Sequence, residues 1–166
     1  MSDDRHATLS EATLLQTEYP VSYAIFAMAR AQRAIASGQL AELGLYPNQE
    51  IMLVQLAAGD GLSQKMLAQT LRISHAAVAK SVRRLESMGL VERRQSTSDR
   101  RVTLVFLSYG GRAVQKDILS LWERLNEMAT SALTNADQRA FLEVVAKIRS
   151  VLDAESWDLT QPTGLR

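Results

Sequence analysis

The chain has no cysteine among its 166 residues. That excludes disulfides, thiolate metal sites and thiol-based redox sensing. Aromatic residues are 5 % of the chain, with only 3 prolines and 8 glycines. So few turn formers and ring side chains fit a mainly helical protein better than a barrel or sandwich. No apolar run approaches the length of a membrane span. Asp3 and Asp4 precede any apolar run, the wrong order for a signal peptide. The expectation is a soluble cytoplasmic protein with no membrane partner. Histidine is limited to His6 and His75, so neither a histidine-based catalytic triad nor a multi-histidine metal site is expected. No phosphate-cradling glycine-rich loop is present. We expect no enzyme activity, catalytic residues, metal or cofactor.

What is present is an uneven distribution of charge. Residues 62–107 hold nine Lys or Arg against three acids, a net +6, which leaves −5 for the rest of a chain whose formal charge is +1. A basic centre between acidic arms is the footprint of a polyanion-binding module.

Apolar periodicity divides the chain into elements. Residues 1–18 read as an arm or a short helix. Pro20 suits a first helical position, and Val21, Ile25, Met28 and Ile35 mark a helix within 19–45. Pro47 opens a second helix that ends near Gly59. Ser63 and Ser74 look like N-caps of two short helices separated by a tight turn, the second closed by Gly89. Residues 90–94 and 101–107 read as strands of a hairpin with a polar tip. Val114, Ile118, Leu121, Leu125, Met128 and Ala132 recur with heptad spacing. Thr134 and Asp137 suggest a capped restart. Phe141, Val145, Ile148 and Leu152 then form a last stripe, and residues 154–166 read as a frayed tail.

The helix from Ser74 to Met88 divides into two faces at 100° per residue. Val78, Val82 and Leu85 fall on one side. Ala76, Lys80 and Arg83 lie opposite, with His75, Ala79 and Arg84 at the edges. Small leading residues let a helix approach a major groove, and an alanine methyl can meet a thymine methyl. Lys80, Arg83 and Arg84, further back, suit phosphates. In the hairpin, Asp99 and Arg101 are two residues apart, so that an extended strand would let the acid hold the guanidinium fork.

These residues resemble the winged helix-turn-helix of the MarR (multiple antibiotic resistance regulator) family. The likeness rests on Leu67-Ala68, on Val78 through Leu85-Glu86, on Gly89-Leu90-Val91-Glu92-Arg93, and on Ser98-Asp99-Arg100-Arg101-Val102. Leu107-Ser108 before Gly110-Gly111 resembles the family's entry into its long helix. Tyr46 departs from the pattern, where a small N-capping hydroxyl is usual. The resemblance implies a mainly α fold with a small β-hairpin wing: a winged helix-turn-helix lobe at 46–107, flanked by N- and C-terminal dimerisation helices at 19–45 and 108–153. It implies that Ser74, His75, Ala76, Ala77, Ala79 and Lys80 read the major groove of double-stranded DNA, with Arg83, Arg84 and Arg100 beside them. Arg101 is the implied minor-groove arginine and Asp99 its partner. A homodimer through Val21, Ile25, Ile118, Leu121, Leu125, Phe141, Val145 and Ile148 is expected on a pseudo-palindromic operator. A small phenolic or anionic aromatic effector near Tyr23, Met28, Arg30 and Trp122 is implied as well. The alternative is a winged-helix protein–protein adaptor without specific DNA binding.

Overall fold

The computed structural model describes residues 11–59 and 61–160. Two helices open it: α1 (Glu11–Glu18) and α2 (Pro20–Glu42), with Pro20 in the first turn of α2. The expected arm is therefore helical over Glu11–Glu18, and residues 1–10 lie outside the described part. α3 (Gln49–Ala57) starts two residues later than Pro47 suggests. Asn48 adopts φ 75° as its N-cap, and the Gln49 side-chain carbonyl accepts the Tyr46 amide at 2.9 Å. The missing small hydroxyl at position 46 is thus replaced by a glutamine reaching back to close the turn.

Next come β1 (Leu62–Ser63), α4 (Gln64–Leu71) and α5 (His75–Ser87). Both expected caps are in place. Ser63 Oγ accepts the Met66 amide at 3.1 Å, and Ser74 Oγ accepts the Ala77 amide at 3.2 Å. Arg72 takes a left-handed conformation, φ 53°, which ends α4 and turns the chain into α5.

The hairpin is β2 (Val91–Gln95) and β3 (Thr103–Leu107), paired antiparallel from Val91 opposite Leu107 to Gln95 opposite Thr103. β1 adds to the other edge of β3, with Leu62 opposite Val105, so the sheet order is β1-β3-β2. This third strand was not expected. At two residues it is too short to show any alternation.

The core of the lobe is Met52, Leu53, Leu56, Leu67, Val78, Val82, Leu85 and Val105, all essentially without exposure. Each contributes about 1.5–3 kcal/mol by leaving water.

α6 (Tyr109–Thr130) begins directly after β3. Ser108 is buried at this join: its hydroxyl donates to the Gly89 carbonyl at 2.6 Å and accepts the Gly111 amide at 3.0 Å. Gly111 has no room for a side chain, because a Cβ there would overlap the Leu90 carbonyl and the Leu107 side chain.

The chain divides into two compact units between Trp122 and Glu123, along α6. The second unit holds the end of α6 and α7 (Asn135–Thr160). Thr134 and Asp137 cap α7 reciprocally. The Asp137 carboxylate accepts the Thr134 amide at 2.9 Å and hydroxyl at 2.6 Å, and Thr134 Oγ1 accepts the Asp137 amide at 3.2 Å. The expected tail is helical as far as Thr160, and 161–166 lie outside the described residues. No described helix is long and apolar enough to cross a membrane.

Candidate nucleic-acid interface

α5 is pinned by Val78, Val82 and Leu85, each 0 % exposed. The helix therefore cannot rotate without moving them, and its other face is fixed outward. His75, Ala76, Ala77, Lys80 and Arg83 are exposed there, and Ala79 is half-buried at the edge. Exposed Ser74 spends one lone pair on its cap and keeps its hydroxyl hydrogen for an outside acceptor. The start of α5 also presents the positive end of the helix dipole to any anion.

The wing reaches toward the same end of α5. His75 and Arg101 line one open cleft of about 310 Å³, together with Ser63, Lys65 and Thr103. The Arg101 side chain is 96 % exposed and Arg100 is exposed beside it. Lys65 was not among the expected contact residues, although it counts in the basic centre. It sits in the first turn of α4, and only the fold of the turn brings it to His75.

Two expected roles need correction. Asp99 and Arg101 lie in a turn rather than on a strand. Asp99 Oδ1 accepts the Arg101 backbone amide at 2.9 Å, while its distance to Arg101 Nε is 3.9 Å. The acid therefore shapes the backbone under Arg101 and leaves the guanidinium free to extend. Buried Ser96 supports the same turn, accepting the Ser98 and Asp99 amides at 3.3 and 3.4 Å.

Arg84 is not an outward phosphate contact. Its guanidinium lies 4.1 Å above the centre of the Tyr46 ring and donates to the Gly44 carbonyl at 2.9 Å, and its Nε is buried without a partner. A cation stacked on an aromatic face and hydrogen-bonded to backbone anchors a helix rather than a ligand. Arg84 ties α5 to the α2–α3 corner.

At the far end of α5, Glu86 bridges to Arg93 of β2 at 2.6 Å. The hydrogen bond from Arg93 holds the Glu86 carboxyl below its usual range and raises the guanidinium in turn.

The expected dimer residues split into two groups. Val21, Ile25, Phe141 and Val145 are exposed and Ile148 is half-buried, so all five remain available to a partner. Ile118, Leu121 and Leu125 are 0, 1 and 5 % exposed within the single chain and belong to its own core. The heptad spacing is real, but these three positions of its seam are already covered, whereas Met128 and Ala132 further along remain exposed.

The four expected effector residues do not converge. On α2, Tyr23 and Arg30 are seven residues apart and share a face, whereas Met28 points about 140° away from Tyr23. Tyr23 lines a hollow with Leu15, Tyr19 and Phe26, Arg30 lines another with Phe26 and Arg33, and Met28 and Trp122 line neither.

A three-stranded sheet, a buried-backed second helix and an arginine-tipped hairpin in this order define a winged helix-turn-helix protein. Residues 43–102 match the family model described as "MarR family". An HTH-type transcriptional repressor of Mycobacterium bovis is 28 % identical over 136 residues, 82 % of this chain and 98 % of that protein. Among solved structures, the transcriptional regulator SlyA superposes with a TM-score of 0.78 at 20 % identity, over 84 % of this chain and 99 % of that one. A putative MarR family transcriptional regulator from Listeria monocytogenes, complexed with 26mer DNA, gives 0.76 at 22 % identity, over 86 % and 95 %. The MarR family match thus falls on residues 43–102, and the superpositions extend the winged helix-turn-helix fold over most of the chain.

Proposed function

We propose that the chain is a sequence-specific double-stranded DNA-binding regulator that acts as a homodimer. The observation carrying this is the cleft shared by His75 and Arg101. It sets the start of a groove-sized helix and an extended guanidinium on one surface, with Lys65 lining the same cleft. Ala76, Ala79 and Lys80 enter a major groove, Arg83 and Lys65 meet phosphates, and Arg100 and Arg101 reach the neighbouring minor groove, whose negative potential favours arginine. The apolar faces left open on α2 and α7 join two copies. Two α5 helices then meet successive major grooves about 34 Å apart on a pseudo-palindromic site. The Mycobacterium bovis relative is named a transcriptional repressor, which makes repression the expected sign. An anionic aromatic effector fits the open hollow of about 440 Å³ on α2, where Arg30 and Arg33 flank Phe26.

The test is fluorescence anisotropy of labelled duplex from the protein's own upstream region, titrated at several salt concentrations against scrambled competitor. Binding that survives competitor and weakens steeply with salt is expected. Arg101→Ala should weaken it about tenfold or more with an unchanged melting temperature. Equal affinity for both proteins would remove the wing from the interface, and absence of binding at low salt would favour a protein–protein adaptor.

A further inference from the structure

Two kinds of contact hold α5. Val78, Val82 and Leu85 are buried along one side of it and fix which face points outward. Apolar burial is non-directional, however, and sets the angle of the helix only loosely. The directional contacts gather in the last turn. The Arg84 guanidinium lies 4.1 Å above the centre of the Tyr46 ring and donates to the Gly44 carbonyl at 2.9 Å. Both partners stand in the turn between α2 and α3. A planar fork held on its face by a ring and at one nitrogen by a carbonyl keeps both contacts in few orientations. Glu86 also bridges to Arg93 of β2, but that pair is partly exposed and ties more weakly. A cation in the last turn suits the helix dipole wherever it points, so the dipole alone does not explain the stack. Serine or threonine at position 46 would offer no ring to it.

We propose that Tyr46 and Arg84 are positioning residues that set the angle of α5, and with it the discrimination among DNA sequences, without touching DNA themselves. The inference rests on the DNA-binding reading given above. His75 lies about 13 Å along the helix from Arg84, so a tilt released at the Arg84 end displaces the leading residues Ala76, Ala79 and Lys80 sideways. Base edges are read through hydrogen bonds of about 2.7–3.2 Å and close methyl contacts, which a displacement of about 1 Å breaks. Attraction to phosphates depends on charge and tolerates such a displacement. Loss of the stack therefore lowers affinity for the preferred sequence and leaves binding to other duplexes in place. Arg83, next in the chain, has the opposite role: it is exposed and meets phosphate in any sequence.

The test compares two labelled duplexes of equal length by fluorescence anisotropy at several salt concentrations. One is selected by the wild-type chain from a random pool, and the other is its scrambled counterpart. Tyr46→Leu changes no charge, and Tyr46 is 59 % exposed, so no core cavity opens. The backbone amide of residue 46 keeps its bond to Gln49. Tyr46→Leu should weaken binding to the selected duplex about tenfold and leave the scrambled duplex and its salt dependence unchanged. Tyr46→Phe, which keeps the ring, should match the wild type. Arg84→Lys, which keeps the charge without a plane to stack, should repeat the loss and carries the test if Tyr46→Leu fails to fold. Arg83→Gln should weaken both duplexes alike and lower the salt slope by about 1. Thermal melting in the same buffer verifies that each variant is folded at the assay temperature. An unchanged ratio of the two affinities, or an equal fall on both duplexes, in the Tyr46→Leu and Arg84→Lys variants would overturn the proposal while leaving the DNA-binding reading in place. A wild-type chain that selects no sequence would overturn that reading and this proposal with it.

Discussion

α5 and α7 are both amphipathic, but only one of them closes its apolar face inside the chain. On α5, Val78, Val82 and Leu85 are wholly buried. On α7, Phe141, Leu142, Val144, Val145, Val151 and Leu152 remain 37–64 % exposed. The same kind of stripe therefore has two meanings. One is closed within the fold, and the other is left exposed.

The comparison can be broken most forcefully at Leu85. Leu85→Ala should cost about 2–5 kcal/mol of stability, read by urea denaturation, because the cavity left behind cannot be refilled by water. Val145→Asp should leave the secondary structure by circular dichroism intact while shifting sedimentation from dimer to monomer. A dimer that survives it would place the contact elsewhere. Leu125→Asp sharpens the contrast: at 5 % exposure it should destabilise the fold itself rather than merely separate two copies. Arg84→Met should cost about 1–3 kcal/mol through the lost Tyr46 stack and Gly44 hydrogen bond. Arg84→Lys should not restore it, because an ammonium has no plane to stack. The smallest effect is expected at the start of α7. Its bonds to Thr134 hold the Asp137 carboxyl below the ordinary 3.8. Their stabilisation is present above that value and is lost as pH falls through the lowered one. Faster amide exchange in the first turn of α7 at the acid end, absent in Asp137→Asn, would show it.

The same contrast explains what could be read from residues alone. Ser63, Ser74, Thr134 and Asp137 were legible as caps because a cap depends on three or four neighbouring residues. The hairpin was legible because the second run alternates and a polar tip separates it from an extended run that follows a glycine. The outer face of α5 followed from its period. What remained hidden was always a matter of who sits opposite. Spacing showed that Ile118, Leu121 and Leu125 share a face, but not that the chain's own residues cover it. Projection put Arg84 at the edge of the helix, and only the tertiary approach of Tyr46, far away in sequence, made it a clamp. Lys65 joined the cleft through a turn whose direction depends on the left-handed Arg72. β1 left no trace because two residues have no period.

Ser108 joins these regions in a mechanical sense. One hydroxyl grips the carbonyl of Gly89, just beyond the end of α5, and the amide of Gly111, in the first turn of α6. Gly111 is too tightly packed to slip along that contact. The first turn of α6 and the exit of α5 are therefore fastened to each other through a single hydroxyl.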